Sequence, residues 1–384
     1  MVRAGTVMGR AFFLCAWCGA ALAIFSSLLV SGVLSSLGFF RFIGHTWPRF
    51  SGLTPAFASL PWNCTHSELA SFRLPGQRAL VTGASSGLGL EAAKSIAASG
   101  ASVALACRSA ARCEAAAALV RAVAAPGAAV TTWQLDTASL ASVRTFAVEF
   151  LLADAAPLDM LLLNAGIASA GAWAPGAPTL PLSVDGIEAV MATNHVGHAL
   201  LFELLLPRLL AARTSRVVLT SSASSFDTYS YGVATELSTL NAPPERGALA
   251  ALKPYGQSKL AQILWAQETA ELMKREGHTH VYVNVMHPGS VDTNIWPSNP
   301  ILSDAAKRGV VAWLQKNVMW TARDGALTLA WLAMAEDALR EGGLRGLYWH
   351  PQCVRVTPHP AAADAGLRRR FWAFTRELSG GVRL

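Results

Sequence analysis

From about Leu74 the chain alternates short, almost wholly apolar runs with longer stretches of mixed polarity. The short runs are RALVTG at 78–83, SVALAC at 102–107, VTTWQLD at 130–136, LDMLLLNAG at 158–166, RVVLTSS at 216–222, VYVNVMHPG at 281–289 and GLYWH at 346–350. Helix-length segments lie between them, near 88–99, 109–125, 139–154, 186–212 and 255–276. Near-continuous apolar strands separated by helices predict a parallel sheet covered on both faces. The expected fold is therefore α/β: one doubly wound domain over 74–384 with a mostly parallel, seven-stranded sheet. The Ala-rich stretch 110–125 reads as a helix stopped by Pro126-Gly127. The leucine-rich stretch 200–212 is interrupted by Glu203, Pro207 and Arg208, which predicts a packed or subunit-contacting helix and not a membrane span.

The amino-terminal part follows other rules. Residues 11–40 contain no charge and no proline. A helix of roughly 20 apolar residues crosses a bilayer core, whereas the apolar core of a cleavable signal is usually about 7–15 residues. A retained anchor over residues 1–45 is expected, followed by a linker over 46–73. Small residues near Ala21 and Ala23 keep a cleaved signal as the rival. Arg3, Arg10, Arg41 and Arg49 flank the run, and no acid precedes Glu68. The flanking charges tie, so orientation stays open, and an acid-free lead of this kind also suits an organelle-targeting presequence. The expectation is a single-pass membrane protein of the endoplasmic reticulum or another organelle.

Composition sharpens this picture. The chain is 52% hydrophobic with only 14% charged residues, in keeping with a lipid-facing segment added to an ordinary core. Four of the seven excess positive charges sit before Glu68. The folded part has no cluster of basic residues, which excludes a nucleic-acid groove. Cys15, Cys18, Cys64, Cys107, Cys113 and Cys353 are scattered and read as ordinary thiols of a reducing compartment; no His/Cys spacing suits a metal. Asn63-Cys64-Thr65 is a glycosylation tripeptide that matters only if the domain faces a lumen.

Candidate chemistry begins where the first strand runs into a helix. Gly83, Gly87 and Gly89 are spaced G-x-x-x-G-x-G, with Ser85, Ser86 and Leu88 in the same turn. Glycines there let the backbone approach a pyrophosphate seated on the helix amino end, a Rossmann-type arrangement. The second strand ends in Arg108, with Arg112 one turn on, where an acid would have favoured NAD. Arginine suits a 2′-phosphate, so NADP(H) is the expected cofactor. Asp136, closing the third strand, is placed either to meet the adenine or to cap the next helix. Tyr255 and Lys259 share one helix face by their i, i+4 spacing, and none of the other four tyrosines has a lysine four residues later. Pro254 disfavours helix at Lys253, which sets Tyr255 at a helix start.

TGASSGLG, LACR, LNAG at 163–166, TNHVGHALL at 193–201, VVLTSS, YGQSKLAQIL and MHPGSVDT occur in order between about Leu74 and Trp372. Together they resemble the short-chain dehydrogenase/reductase family, and within it the membrane-anchored retinol dehydrogenase-like group. The resemblance implies a tetrad. Tyr255 would be the general acid/base and Lys259 the cation that favours tyrosinate and binds the nicotinamide ribose. Ser222 would hydrogen-bond the reacting oxygen, with Ser221 and Ser224 as rivals on the same strand end. Asn194 would hold a water connecting Lys259 to solvent. Asn164, Ala165, Gly166, Pro288, Gly289, Val291 and Thr293 would complete the cofactor cleft. Two departures stand out: Leu163 replaces a first asparagine, and Ser222 and Tyr255 are separated by a long interval of 33 positions.

The segment after MHPG, containing Ile295, Trp296, Ile301, Leu302, Val310, Val311 and Trp313, is expected to form an apolar substrate-side flap. The expected activity is NADP(H)-dependent interconversion of a carbonyl and an alcohol on a lipophilic molecule such as a retinoid, steroid or fatty aldehyde. The competing class is a non-catalytic, membrane-tethered NADP(H) sensor or scaffold, and the assembly considered is a homodimer.

Overall fold

The computed structural model describes residues 64–169, 180–243, 250–291 and 319–381. The expected anchor, Thr293 and the flap lie outside the described residues. Eight strands form one sheet: β1 (Arg78–Thr82), β2 (Ser102–Cys107), β3 (Val130–Gln134), β4 (Met160–Leu163), β5 (Ser215–Thr220), β6 (Val281–Met286), β7 (Tyr348–His350) and β8 (Val354–Val356). Their order is β3-β2-β1-β4-β5-β6-β7-β8, parallel throughout except where β8 runs antiparallel to β7. The expected seven strands all form, and β8 is the correction. It is a three-residue edge strand turned back by the short 3₁₀ segment Pro351–Cys353, too brief to leave an apolar pattern.

The longer helices are α1 (Gly87–Ala98), α2 (Ala110–Arg121), α3 (Leu140–Ala153), α4 (Ala189–Leu210), α5 (Lys253–Arg275), α6 (Leu327–Met334) and α7 (Ala365–Ser379). Strand residues alternate between two cores. Leu80, Leu161, Val217 and Val283 face α3, α4, α5 and α7, while Val81, Leu162, Val218 and Tyr282 face α1, α2 and α6. Both sheet faces are therefore dry, which is why the strands read as unbroken apolar runs. α4 is long and apolar enough to cross a membrane, but it is buried within the domain, against α3 and α7.

The residues just ahead of the expected domain start are folded as well. Thr65 caps a short helix, His66–Ser71, whose Leu69 is buried against the α6 side of the sheet. The cysteines also depart from expectation. Cys64 is bonded to Cys353 across 289 residues, and Cys107 to Cys113 across six. Connectivity between distant cysteines leaves no local signal in a sequence. The first bridge ties the beginning of the described chain to the β7–β8 turn.

Candidate active site

Strand β1 turns after Thr82 at Gly83, whose φ of +66° belongs to the left-handed region open to glycine. A β-carbon on Gly83 would come within 2.8 Å of the Ala165 Cα, and one on Gly89 within 2.6 Å of the Asn164 amide nitrogen. The glycine turn and the Asn164–Gly166 turn are thus pressed together at the carboxyl edge of β1 and β4. Strand order reverses between these two strands, the usual place for a ligand crevice in an open α/β sheet. Asn164 holds the join: its Nδ2 donates to the Thr82 carbonyl at 3.0 Å, and its backbone N–H donates to the Thr82 hydroxyl at 2.9 Å.

At the end of β2, Arg108 and Arg112 are both exposed beside this turn. The Arg112 guanidinium donates to the Ser86 hydroxyl at 3.4 Å, which draws its charge to the amino end of α1. Asp136 uses one carboxylate oxygen to accept from the Ala138 N–H at 3.0 Å, while Ser139 caps α3. The expected cap of α3 is thus corrected from Asp136 to Ser139, and Asp136 shapes the turn just ahead of it. Across the sheet, Gly289 has φ +81° and donates its N–H to His287 Nδ1 at 3.1 Å; Val291 is buried and bridged to Trp320.

Tyr255 and Lys259 lie in the first two turns of α5. The helix starts at Lys253, one residue ahead of Pro254, because a 3₁₀ turn at Ala250–Leu252 feeds directly into it. Lys259 is 3% exposed. Its ammonium donates to the Thr220 carbonyl at 2.7 Å and to Gln262 Oε1 at 3.3 Å, and Nζ sits 5.5 Å from the centre of the Tyr255 ring. Burial pulls the Lys259 pKa down to about 7. The Tyr255 phenol is pushed up to about 12 by burial, partly offset by a hydrogen bond with Ser222. The Ser222 oxygen accepts the Ser224 N–H at 3.1 Å, so its own hydrogen is available to donate to the phenol. Ser221 turns away and donates to the Lys259 carbonyl at 2.7 Å, which favours Ser222 over that rival. Tyr348 of β7 donates to the Ser222 carbonyl at 3.2 Å and steadies the same turn.

Asn194 sits in a single π turn, Ala192–Val196, that interrupts α4. Widened turns of this kind concentrate at functional sites. Its side-chain oxygen accepts from the Ile167 N–H at 2.8 Å, and its amide donates to the Ile167 carbonyl at 2.9 Å and the Ser258 hydroxyl at 3.0 Å. Its backbone carbonyl accepts from Gln262 Nε2 at 2.7 Å and from His198 Nδ1 at 3.1 Å.

Residues 77–234 match the family described as short chain dehydrogenase. The chain is 33% identical to Short-chain dehydrogenase TIC 32 B, chloroplastic, of Brassica napus, over 78% of this chain and 88% of that protein. It is 35% identical to Retinol dehydrogenase 14 of Mus musculus, over 79% of this chain and 86% of that one. The chain belongs to the short-chain dehydrogenase/reductase family. Within this oxidoreductase family its relatives give it a retinol dehydrogenase-like relationship. A solved short-chain dehydrogenase from Burkholderia cenocepacia in complex with NADP superposes with a TM-score of 0.52 at 28% identity, covering 72% of this chain and 96% of that one.

In this short-chain dehydrogenase/reductase the structure gathers Asn194, Ser222, Tyr255 and Lys259 at one end of the sheet, beside Asn164, Ala165 and Gly166. Three neighbours escaped the sequence reading. Gly256 allows the turn after Ser222 to lie directly on α5. Gln262 and His198 follow Lys259 and Asn194 by three and four residues, so helical spacing alone would have placed each beside its partner.

Proposed function

We propose that the chain is an NADP(H)-dependent oxidoreductase that interconverts a carbonyl and an alcohol on a lipophilic substrate, with Tyr255 as general acid/base. The observation that carries this reading is the convergence of the Ser222 hydroxyl and the Lys259 ammonium on one phenol, beside a glycine turn at the strand-order reversal. The turn fits a dinucleotide: its backbone lies where side chains would collide, at the amino end of the 12-residue α1. Gly83, Ser85, Ser86, Gly87, Leu88 and Gly89 would hold the pyrophosphate, and Arg108 with Arg112 a 2′-phosphate. When bound, the nicotinamide supplies or takes the hydride.

The protein's own part is proton management. In reduction, the Tyr255 phenol gives its proton to the carbonyl oxygen; in oxidation, the tyrosinate takes it back. Ser222 donates a hydrogen bond to that oxygen as charge develops on it. In its protonated form Lys259, whose Nζ lies 5.5 Å from the Tyr255 ring centre, would offset part of the cost that burial places on a tyrosinate. The interval between Ser222 and Tyr255 carries Phe226 and a stacked Tyr229–Tyr231 pair with centroids 4.9 Å apart, and the lipophilic substrate class is supported by the retinol dehydrogenase-like relatives. A membrane anchor over residues 1–45 would present such substrates from the bilayer. The Cys64–Cys353 bridge supports placing the domain on an oxidising side of that membrane.

The test compares wild type with Tyr255→Phe over a panel of apolar aldehydes and ketones with NADPH. Loss of turnover by a factor of about 10² or more is expected. Equal turnover in both proteins refutes the assignment of Tyr255, and no turnover in either favours the cofactor-sensing scaffold.

A further inference from the structure

The lysine at the centre of this site is held by a residue outside the expected tetrad. A carbonyl oxygen has two lone pairs, and both lone pairs of the Asn194 carbonyl are met by protein donors: the Gln262 amide at 2.7 Å and His198 Nδ1 at 3.1 Å. The same Gln262 side chain turns its oxygen to the Lys259 ammonium at 3.3 Å. Gln262 is fully buried, so it stands as a fixed amide bridge between the lysine and the π turn. His198 locks the far side, because its Nε2 lies 2.9 Å from the Thr82 hydroxyl, which in turn receives the N–H groups of Asn164 and Ala165. One buried chain of polar contacts thus runs from Lys259 through Gln262, Asn194 and His198 to the cofactor-side turn.

We infer that Gln262 is a positioning residue that sets the protonation of the Lys259–Tyr255 pair, acting as the amide acceptor for the ammonium and as the clamp on the Asn194 carbonyl. The inference rests on the catalytic reading of Tyr255 and Lys259 given above. Among the described residues, Gln262 Oε1 is one of two protein acceptors for the ammonium, the Thr220 carbonyl being the other. An acceptor directed at a charge in a dry site shifts its proton equilibrium by about tenfold or more. Among the described residues, the titratable groups facing Lys259 are Tyr255 from its own helix and His198 from α4, with Tyr348 of β7 behind Tyr255. Burial holds His198 near pKa 4, so it stays neutral while the pair titrates.

The consequence has a sign in each direction. Removing the acceptor in Gln262→Leu destabilises the ammonium, and the pair loses its proton at lower pH. Placing a carboxylate there in Gln262→Glu stabilises the ammonium and makes proton loss harder for both members. In carbonyl reduction the active form carries both protons, so the alkaline limb of kcat moves down in Gln262→Leu and up in Gln262→Glu. A residue that only supports the fold would lower both variants alike without moving the limb in opposite directions.

The experiment uses the full chain in detergent, labelled with ¹³C at lysine Cε, the Lys259 signal being assigned by its loss in Lys259→Arg. Its titration midpoint is expected to fall by about one pH unit in Gln262→Leu and to rise by about one unit in Gln262→Glu. Melting temperatures identify any variant that fails to fold, and either folded variant suffices for the test. The alkaline limb of decanal reduction by NADPH is measured on the same proteins. Midpoints within about 0.3 unit of wild type in the folded variants overturn the inference. The Tyr255→Phe comparison separates the two ideas: full activity there refutes the catalytic reading, whereas unmoved lysine midpoints with an inactive Tyr255→Phe refute the role of Gln262 alone.

Discussion

Gly256→Ala gives the sharpest test of how the site is assembled, because general helix behaviour and this structure forecast opposite signs. Replacing glycine with alanine inside a helix ordinarily stabilises by up to about 1 kcal/mol. Here the new β-carbon would lie 2.7 Å from the Ser224 carbonyl oxygen and 2.8 Å from the Asp227 carbonyl carbon, and closer still to the Asp227 oxygen. Ordinary contact begins near 3.4 Å, so the turn carrying Ser222 to Asp227 must retreat by about 0.7 Å or more. That turn fixes the Ser222 hydroxyl through its bond from Ser224 N–H, and it is packed along α5 with little room to yield. Overpacking of this kind costs about 1–3 kcal/mol of stability. A displacement near 1 Å at a reacting group costs about 10²-fold in rate, or roughly 2.7 kcal/mol of barrier. Steady-state turnover is followed by loss of reduced-nicotinamide absorbance with the best carbonyl substrate of wild type, beside a thermal melt. The fall is expected in kcat, with cofactor KM little changed. A folded Gly256→Ala protein that keeps kcat within about threefold of wild type, or melts higher than it, would refute the reasoning.

Three further outcomes follow from other parts of the structure. Arg108→Asp should move the NADP/NAD preference in kcat/KM toward NAD by about 10–100-fold, and an unchanged ratio counts against the phosphate role. Glu188 caps the start of α4 from a buried position, and burial raises its pKa from 4.5 to about 7. The folded state therefore favours the protonated acid, so its contribution is full below pH 4.5 and fades as pH rises through about 7. Burial raises Asp227 in the same direction, so the measurement is the difference between wild type and Glu188→Gln. Melting temperatures should fall less in Glu188→Gln than in wild type between about pH 5 and pH 8, and parallel curves would exclude the link. Cys353→Ser opens a ring closed across 289 residues, for which the chain-entropy model gives on the order of 5 kcal/mol. A melt unchanged from that of oxidised wild type would show that the bridge contributes nothing.

What could be read in advance, and what could not, divides on physical grounds. The central strands were legible because burial on both faces leaves them unbroken apolar runs, and Ser102–Cys107 appears with the boundaries its apolar residues suggest. The glycine turn was legible because left-handed φ and close backbone approach demand one residue type. Tyr255 and Lys259 were placed by spacing, and Ser222 by its strand end. The π turn at Asn194 was not, since widening a helix by one residue needs no particular side chain. Gln262 stands three residues after Lys259, so spacing places it beside the lysine, but only the fold shows that the face they share is buried. The Cys64–Cys353 pair was invisible because the two cysteines meet only once the sheet is complete.

The π turn also decides where this part of the chain can change length. Five residues at π spacing cover nearly the same rotation and rise as four residues of regular α-helix, so the turn holds one residue more than the helix needs. Deleting one residue from Ala192–Val196 would let the turn close into regular helix with both flanks nearly unmoved. Glu188, which caps the beginning, and Gly197, where a side chain would strike the Thr137 backbone, would both keep their places. What would be lost is the widened turn that presents the Asn194 carbonyl to Gln262 and His198. In alignments of distant relatives, a single-residue gap in this helix belongs inside Ala192–Val196 and not beside it.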